Sequence, residues 1–359
     1  MRLLETAAGP PERFLIPADL DGRRSELDVL TGPTDSLSRD ERRRRLVAEL
    51  ACFPEPIDRA GARVRVDLEL SLADTYAYSA PDVSLAILET IARRPTRVSR
   101  DIAPMLSYKL YERYALVGAP RRAVDALQSA LVLHAQEVAR TRGRDLEAVA
   151  SVVWCLVGKV RSMELQIKER HTALATLQKL VDRLDAATLD GAPELRGWYE
   201  RHNGAALMAQ IDLVDDGNPS GKEHLAAAAE RAYRDAAAFA PGDLHVAYSL
   251  ACALRERAYA LLGAGHNERA LPIVAELQTI LDRRLLRYAP DSHSAYLRLQ
   301  AHTFRVRSRL ASVRGDRVAA RHLLRRGLES LEGSARVAPT PEVFRDRLSF
   351  SKELAQPTL

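Results

Sequence analysis

Three stretches of the sequence begin with Ala-Pro and follow one another at intervals of 49 residues: APGDLHVAYSL at 240–250, APDSHSAYLRL at 289–299 and APTPEVFRDRL at 338–348. A further Ala-Pro pair, Ala192-Pro193, lies 48 residues before the first of them. Nine residues after each proline of the three stretches comes a leucine: Leu250, Leu299 and Leu348. A fixed period is typical of a solenoid, in which each unit buries its apolar face against its neighbours.

Each period contains two helical segments. Residues 244–263 carry apolar side chains at helical spacing, Gly265 and Asn267 interrupt the pattern, and residues 270–288 resume it. Pro290 then ends the second helix, because proline lacks an amide donor and disfavours helical geometry in the residue before it. In the last period we expect Gly333 to end the second helix before Pro339. The predicted hairpins are 64–95, 98–140, 145–187, 193–240, 241–289 and 290–333, with a capping helix at about 340–353.

The turn and second helix of several hairpins resemble the tetratricopeptide repeat. A glycine is followed five residues later by alanine in three places: Gly118-Ala123, Gly265-Ala270 and Gly315-Ala320. The fullest match is Leu110, Tyr114, Gly118, Ala123, Leu127 and Ala130, and Ala229, Tyr233, Ala236 and Pro241 fit a second helix through to its terminal proline. Trp154, Val157 and Gly158 resemble the Trp-x-x-Leu-Gly pattern of a first helix. The resemblance covers about residues 64–350.

The resemblance implies an all-α fold, a right-handed α-solenoid of about six antiparallel hairpins with a concave groove lined by the first helices. The family period is about 34 residues, so the longer C-terminal period predicts elongated helices. Residues 1–35 are rich in proline and glycine and predict a short irregular arm, and Ser38 with Glu41 predicts a capped helix through Leu50. We therefore divide the chain into an arm and capping helix (1–60), N-terminal hairpins (61–190) and C-terminal hairpins (191–359).

The composition favours a soluble, non-catalytic protein. Its 53 basic and 48 acidic residues give a net charge of +5, and the three cysteines lie far apart. There is no apolar run of signal-peptide or membrane-helix length, so we expect a cytoplasmic location. The sequence contains no HExxH zinc motif, no GxSxG nucleophile motif, no GxxxxGK(S/T) phosphate-binding loop and no GxGxxG dinucleotide-binding motif. No two of its nine histidines have the close spacing of metal ligands on one helix turn. We predict no catalytic residues, no metal and no cofactor.

Positive charge is concentrated in residues 283–326, where twelve arginines against two aspartates give +10. Arg298, His302, Arg305 and Arg309 follow the spacing i, i+4, i+7, i+11 and share one helix face. Counted from the turn glycines, Arg255 and Tyr259 occupy the positions of Arg305 and Arg309 one repeat earlier. The resemblance implies that these six residues face the groove and clamp acidic side chains or a C-terminal carboxylate. The alternative is a solvated outer face with local ion pairs.

The expected function is a protein- or peptide-binding adaptor or regulator whose groove favours an acidic partner. The alternative is nucleic-acid binding by the basic C-terminal surface, with arginines contacting phosphates. The few aromatic residues of that region, Tyr288, Tyr296 and Phe304, offer little base stacking, which disfavours the alternative. Neither expectation depends on a membrane.

Overall fold

The computed structural model describes residues 39–52, 59–77, 79–94, 102–141, 146–162, 164–189, 194–288 and 293–356. Within these ranges all regular structure is helical and no strand occurs. The arm predicted for residues 1–35 lies outside the described residues, as do Ser38, Pro193 and Pro290. The helix predicted to follow Ser38 is present as α1, from Arg39 to Cys52.

Thirteen further helices follow α1 in the described part of the chain. They are α2 (Arg59–Tyr76), α3 (Pro81–Ala92), α4 (Ala103–Leu116), α5 (Pro120–Thr141), α6 (Leu146–Arg161), α7 (Ile167–Leu189), α8 (Glu194–Ile211), α9 (Pro219–Phe239), α10 (Leu244–Gly263), α11 (Asn267–Ile280, continued by a π-helical turn Leu281–Leu285 and the short segment Leu286–Tyr288), α12 (Ser294–Val313), α13 (Arg317–Val337) and α14 (Pro341–Ala355). Each predicted hairpin corresponds to two consecutive helices, from α2–α3 to α12–α13, and the predicted capping helix is α14.

The turn glycines adopt the backbone conformation that their position requires. Gly118, Gly265 and Gly315 have φ angles of 75°, 77° and 80°, in the left-handed region that glycine enters without steric strain. The alanine five residues after each of them is buried, with exposed fractions of 4%, 0% and 0% for Ala123, Ala270 and Ala320. The small residue of the pattern is therefore buried in each of the three second helices.

The π-helical turn in α11 accommodates one extra residue. The segment from Gly265 to Pro290 is one residue longer than the equivalent segment from Gly315 to Pro339. A π-helical turn hydrogen-bonds i to i+5 and so takes up one residue more than an α-helical turn. Leu281 and Leu285, at its two ends, are both fully buried.

The last hairpin differs from the prediction at its end. Gly333 does not terminate α13, which continues to Val337. A side chain at position 333 would meet Leu297 only at ordinary contact distance, 3.6 Å, and the helix passes through without interruption. Thr340 then caps α14, its side chain accepting a hydrogen bond from the amide of Val343 at 3.3 Å.

The described residues form two compact units, which divide within α5 between Ala130 and Leu131. In the first unit, α2, α3 and α4 enclose a core that includes Leu88, Ile91 and Leu106. In the second unit the first helices of successive hairpins contact one another, α6 with α8, α8 with α10 and α10 with α12. The boundary at residue 190, drawn from repeat length, stays a prediction. None of the described helices combines the length and hydropathy needed to cross a membrane.

Candidate functional site

The four residues that were predicted to share one helix face all lie on α12 and form a row along it. We call this the basic row: Arg298, His302, Arg305 and Arg309. The positions of α12 that flank the row are buried, among them Leu299, Thr303 and Val306, so packing fixes the orientation of the helix. The row faces α14. Its side chains contact that helix along most of its length.

The N-terminal half of the row binds two carboxylates of α14. The Nε of Arg298 donates to Oδ2 of Asp346 at 2.5 Å, and the same guanidinium pairs with Glu342. The Nε2 of His302 lies 3.1 Å from the same Oδ2 of Asp346. Burial would raise the pKa of Asp346, but the hydrogen bond from His302 and the charge of Arg298 hold it well below its ordinary value.

The C-terminal half of the row shares a third carboxylate. The Nε of Arg305 donates to Oε2 of Glu353 at 2.6 Å, and its terminal nitrogen donates to the hydroxyl of Ser349 at 2.9 Å. The Nε of Arg309 reaches Oε1 of Glu353 at 3.3 Å. The guanidinium of Arg305 also lies over the ring of Phe350, 4.9 Å from its centroid. Arg305 is thus held on three sides, whereas Arg309 keeps 42% of its side chain exposed.

The partners on α14 have the same spacing as the basic row. Glu342, Asp346, Ser349 and Glu353 follow i, i+4, i+7, i+11, and we call them the acidic row. Two helices that lie side by side bring matched rows into register. These partners were not predicted from the sequence, although their spacing was a visible signal.

Tyr259 joins the site through His302. Its hydroxyl lies 3.0 Å from Nδ1 of His302, so the imidazole stands between the phenol and Asp346. Burial lowers the pKa of His302, and the charges of Arg255 and Arg298 lower it further. Asp346 acts in the other direction and raises it, but the net shift is downwards. This geometry suits a neutral imidazole that donates from Nε2 and accepts at Nδ1.

Arg255 has a different partner from the other five predicted residues. Its Nε donates to Oε1 of Glu256 at 3.0 Å, on the same helix. Burial would raise the pKa of Glu256, but the charge of Arg255 and its hydrogen bond lower it, so the pair is ionised. The structure therefore brings Tyr259, Arg298, His302 and the two later arginines together, with Arg255 paired separately.

A cleft opens where the C-terminal ends of α12 and α14 meet. It has a volume of about 540 Å³ and is lined by Arg305, Arg309, Ser312, Ser349, Lys352, Glu353 and Gln356. Three of these side chains are cationic and one is a carboxylate. The cleft is thus the open, positively charged end of the contact between the two rows, and Lys352 was not singled out by the sequence.

A second polar cluster lies on α6 and α8, where aromatic rings enclose His202. The ring of His202 lies 4.3 Å from that of Trp198 and 5.6 Å from that of Trp154. Nδ1 lies 2.6 Å from the carbonyl oxygen of Trp198, and Nε2 is buried without a hydrogen-bond partner. Burial lowers the pKa of His202 to about 4. Both tryptophans pack against the core of the second unit.

No cluster of three or more histidine, cysteine or acidic side chains is arranged to hold a metal ion among the residues described. No family model matches the sequence, and no curated protein is significantly similar to it.

Proposed function

We propose that this chain is a non-catalytic protein- or peptide-binding module, a tetratricopeptide-like α-solenoid, and that it binds an acidic segment of its partner in the cleft between α12 and α14. The observation that carries the proposal is the composition of the cleft: Arg305, Arg309 and Lys352 surround a single carboxylate, Glu353. Guanidinium groups match carboxylates in geometry and bind them through paired hydrogen bonds. An acidic ligand therefore complements the cleft.

The cleft is a better ligand site than the whole basic row, because α14 already occupies most of the row. Arg298, His302 and Arg305 all bond to α14, and Phe350 of that helix is fully buried beneath them. Arg309 makes only the longer hydrogen bond to Glu353 and keeps 42% of its side chain exposed. We therefore still propose an acidic ligand, but its proposed binding site is the cleft at the open end of the basic row.

The apolar surroundings of Arg309 provide a place for the rest of the ligand. Its guanidinium lies over the ring of Tyr259, 5.6 Å from the centroid, which holds the charge in a fixed place. Val313, at the end of α12, is 60% exposed one residue beyond Ser312 of the cleft wall. A peptide with a carboxylate beside an apolar side chain would use both features.

The proposal is tested with a fluorescein-labelled hexaglutamate peptide and the full chain, with binding measured by fluorescence anisotropy. Arg309→Glu and Lys352→Glu should each weaken binding at least about tenfold, which corresponds to ~1.4 kcal/mol. The matched control is Arg283→Glu, which makes the same charge change at an exposed arginine of α11. Equal losses in the control and in both cleft variants would mean that the peptide responds only to net charge, and the proposal would fail.

Nucleic-acid binding remains the alternative, and one observation weighs against it. Three of the twelve arginines in residues 283–326 bind carboxylates of α14, so they are not directed at a phosphate backbone. A labelled DNA duplex in the same assay distinguishes the two. Tighter binding of DNA than of peptide, with a steep dependence on salt concentration, would favour the alternative.

A further inference from the structure

The outer face of α14 exposes two apolar side chains, Phe344 and Leu348, and the position of Leu348 is buried in two other repeats. The periodic leucine is 7% exposed in α10, at Leu250, and 1% exposed in α12, at Leu299. The equivalent residue of α14, Leu348, is 57% exposed. Phe344, one helical turn earlier on the same face, is 50% exposed.

The difference follows from the position of α14 in the repeat. The first helices α6, α8, α10 and α12 each pack against the second helix of their own hairpin. α14 begins like another first helix, after Ala338-Pro339 and at the same interval as the others. In the described part of the chain no helix packs on its outer face. The uncovered Leu348 therefore marks the place of a second helix.

The charges around this face favour an acidic occupant. On α14, Arg345 lies three positions before Leu348 and Arg347 lies three positions after Phe344, so helical geometry places one arginine on each side of the apolar pair. Arg345 is exposed and Arg347 is half-buried. Glu342 and Asp346 of the same helix pair instead with Arg298 of α12. The charged residues that flank the apolar pair are therefore basic.

We propose that an amphipathic helix of a partner protein docks on this face as the second helix of a seventh hairpin, with an apolar stripe over Phe344 and Leu348 and carboxylates towards the surrounding basic residues. A second copy of the same chain packed face to face fits less well, since it would bring Arg345 and Arg347 against identical charges, and like charges across an interface oppose association. The face is separate from the cleft, which lies on the side of α14 that meets α12.

The test uses the full chain and a labelled synthetic peptide of about 20 residues, with leucines at i, i+4, i+7 and i+11 and glutamates on both flanks. Leu348→Asp and Leu348→Gln should each weaken binding at least about tenfold. The control Ile167→Asp introduces the same charge at another exposed apolar residue, 58% exposed on α7, and should leave binding unchanged. A peptide with lysines in place of the glutamates should bind more weakly than the original.

Two results would overturn the proposal. The first is equal affinity of the peptide for wild type and for both Leu348 variants. The second is a wild-type dimer in light scattering that becomes monomeric with Leu348→Asp, because a second copy would then be the occupant. The Leu348 variants should still bind hexaglutamate, and Arg309→Glu should still bind the helical peptide. These two measurements keep a failure here distinct from a failure of the cleft.

Discussion

Replacing Phe350 by alanine should release α14 from the second unit. The side chain is fully buried in a cluster with Ala301, Leu324 and Leu331. It occupies space that a glycine leaves open, since a Cβ added at Gly327 would lie 2.7 Å from its ring. Loss of a buried phenylalanine side chain costs about 3–5 kcal/mol. α14 is the last described helix, so we expect this loss to appear as local opening of α14 and not as unfolding of the whole unit.

Hydrogen exchange followed by mass spectrometry measures this directly. A loss of 3–5 kcal/mol corresponds to exchange that is about 100- to 4,000-fold faster in the amides of α14, with those of α10 nearly unchanged. The same variant should bind hexaglutamate less tightly, because α14 forms one wall of the cleft. Phe344→Ala is the matched control: it removes the same ring from an exposed position of the same helix. Unchanged exchange in α14 of the Phe350 variant would refute the packing argument.

Three other predictions concern the second unit. Gly315→Ala should lower stability by about 1 kcal/mol and the melting temperature by about 2–4 °C, through backbone strain alone, because no atom lies within 4 Å of the new methyl group; an unchanged melting temperature would contradict this. His202 should make the unit less stable as pH falls: the unfolded state takes up a proton below about 6.5, whereas the folded state does so only near 4, which removes about 3 kcal/mol between these values. Urea unfolding at several pH values should show this loss in wild type and a smaller one in His202→Phe. Arg305→Gln should destabilise the unit by at least about 2 kcal/mol, because it leaves the partly buried Glu353 without its closest partner. Arg309 is more exposed, so Arg309→Gln should cost less than about 1 kcal/mol. Equal melting temperatures for the two variants would show that burial does not separate the roles of the two arginines.

Most of the fold was predictable because the repeat signals act locally. Glycine at the turn and alanine five residues later are direct requirements of backbone conformation and close approach, and both are found as expected at Gly118 and Gly265. The end of α13 was not predictable from Gly333. Glycine weakens a helix by only about 1 kcal/mol relative to alanine, which packing readily offsets.

The candidate site was predictable only in part. Helical spacing alone was enough to place Arg298, His302, Arg305 and Arg309 on one face of α12. It gives no information about which residues pack against that face. The opposing residues belong to α14, 44 to 48 positions later in the sequence, so the pairing is a tertiary contact that composition and charge counts of one segment do not contain. The count of +10 overstated the free positive charge for the same reason.

The π-helical turn of α11 shows how a series of repeated helical hairpins can tolerate a change in the length of one hairpin during evolution. In a continuous α-helix, one inserted residue rotates every later side chain by about 100° relative to the core. The turn at Leu281–Leu285 confines that rotation to a few residues, since Leu285, its last residue, is again fully buried. Single-residue insertions in a repeat unit can thus persist where a π-helical turn absorbs them, and duplicated units can diverge in length while their inward-facing positions stay aligned.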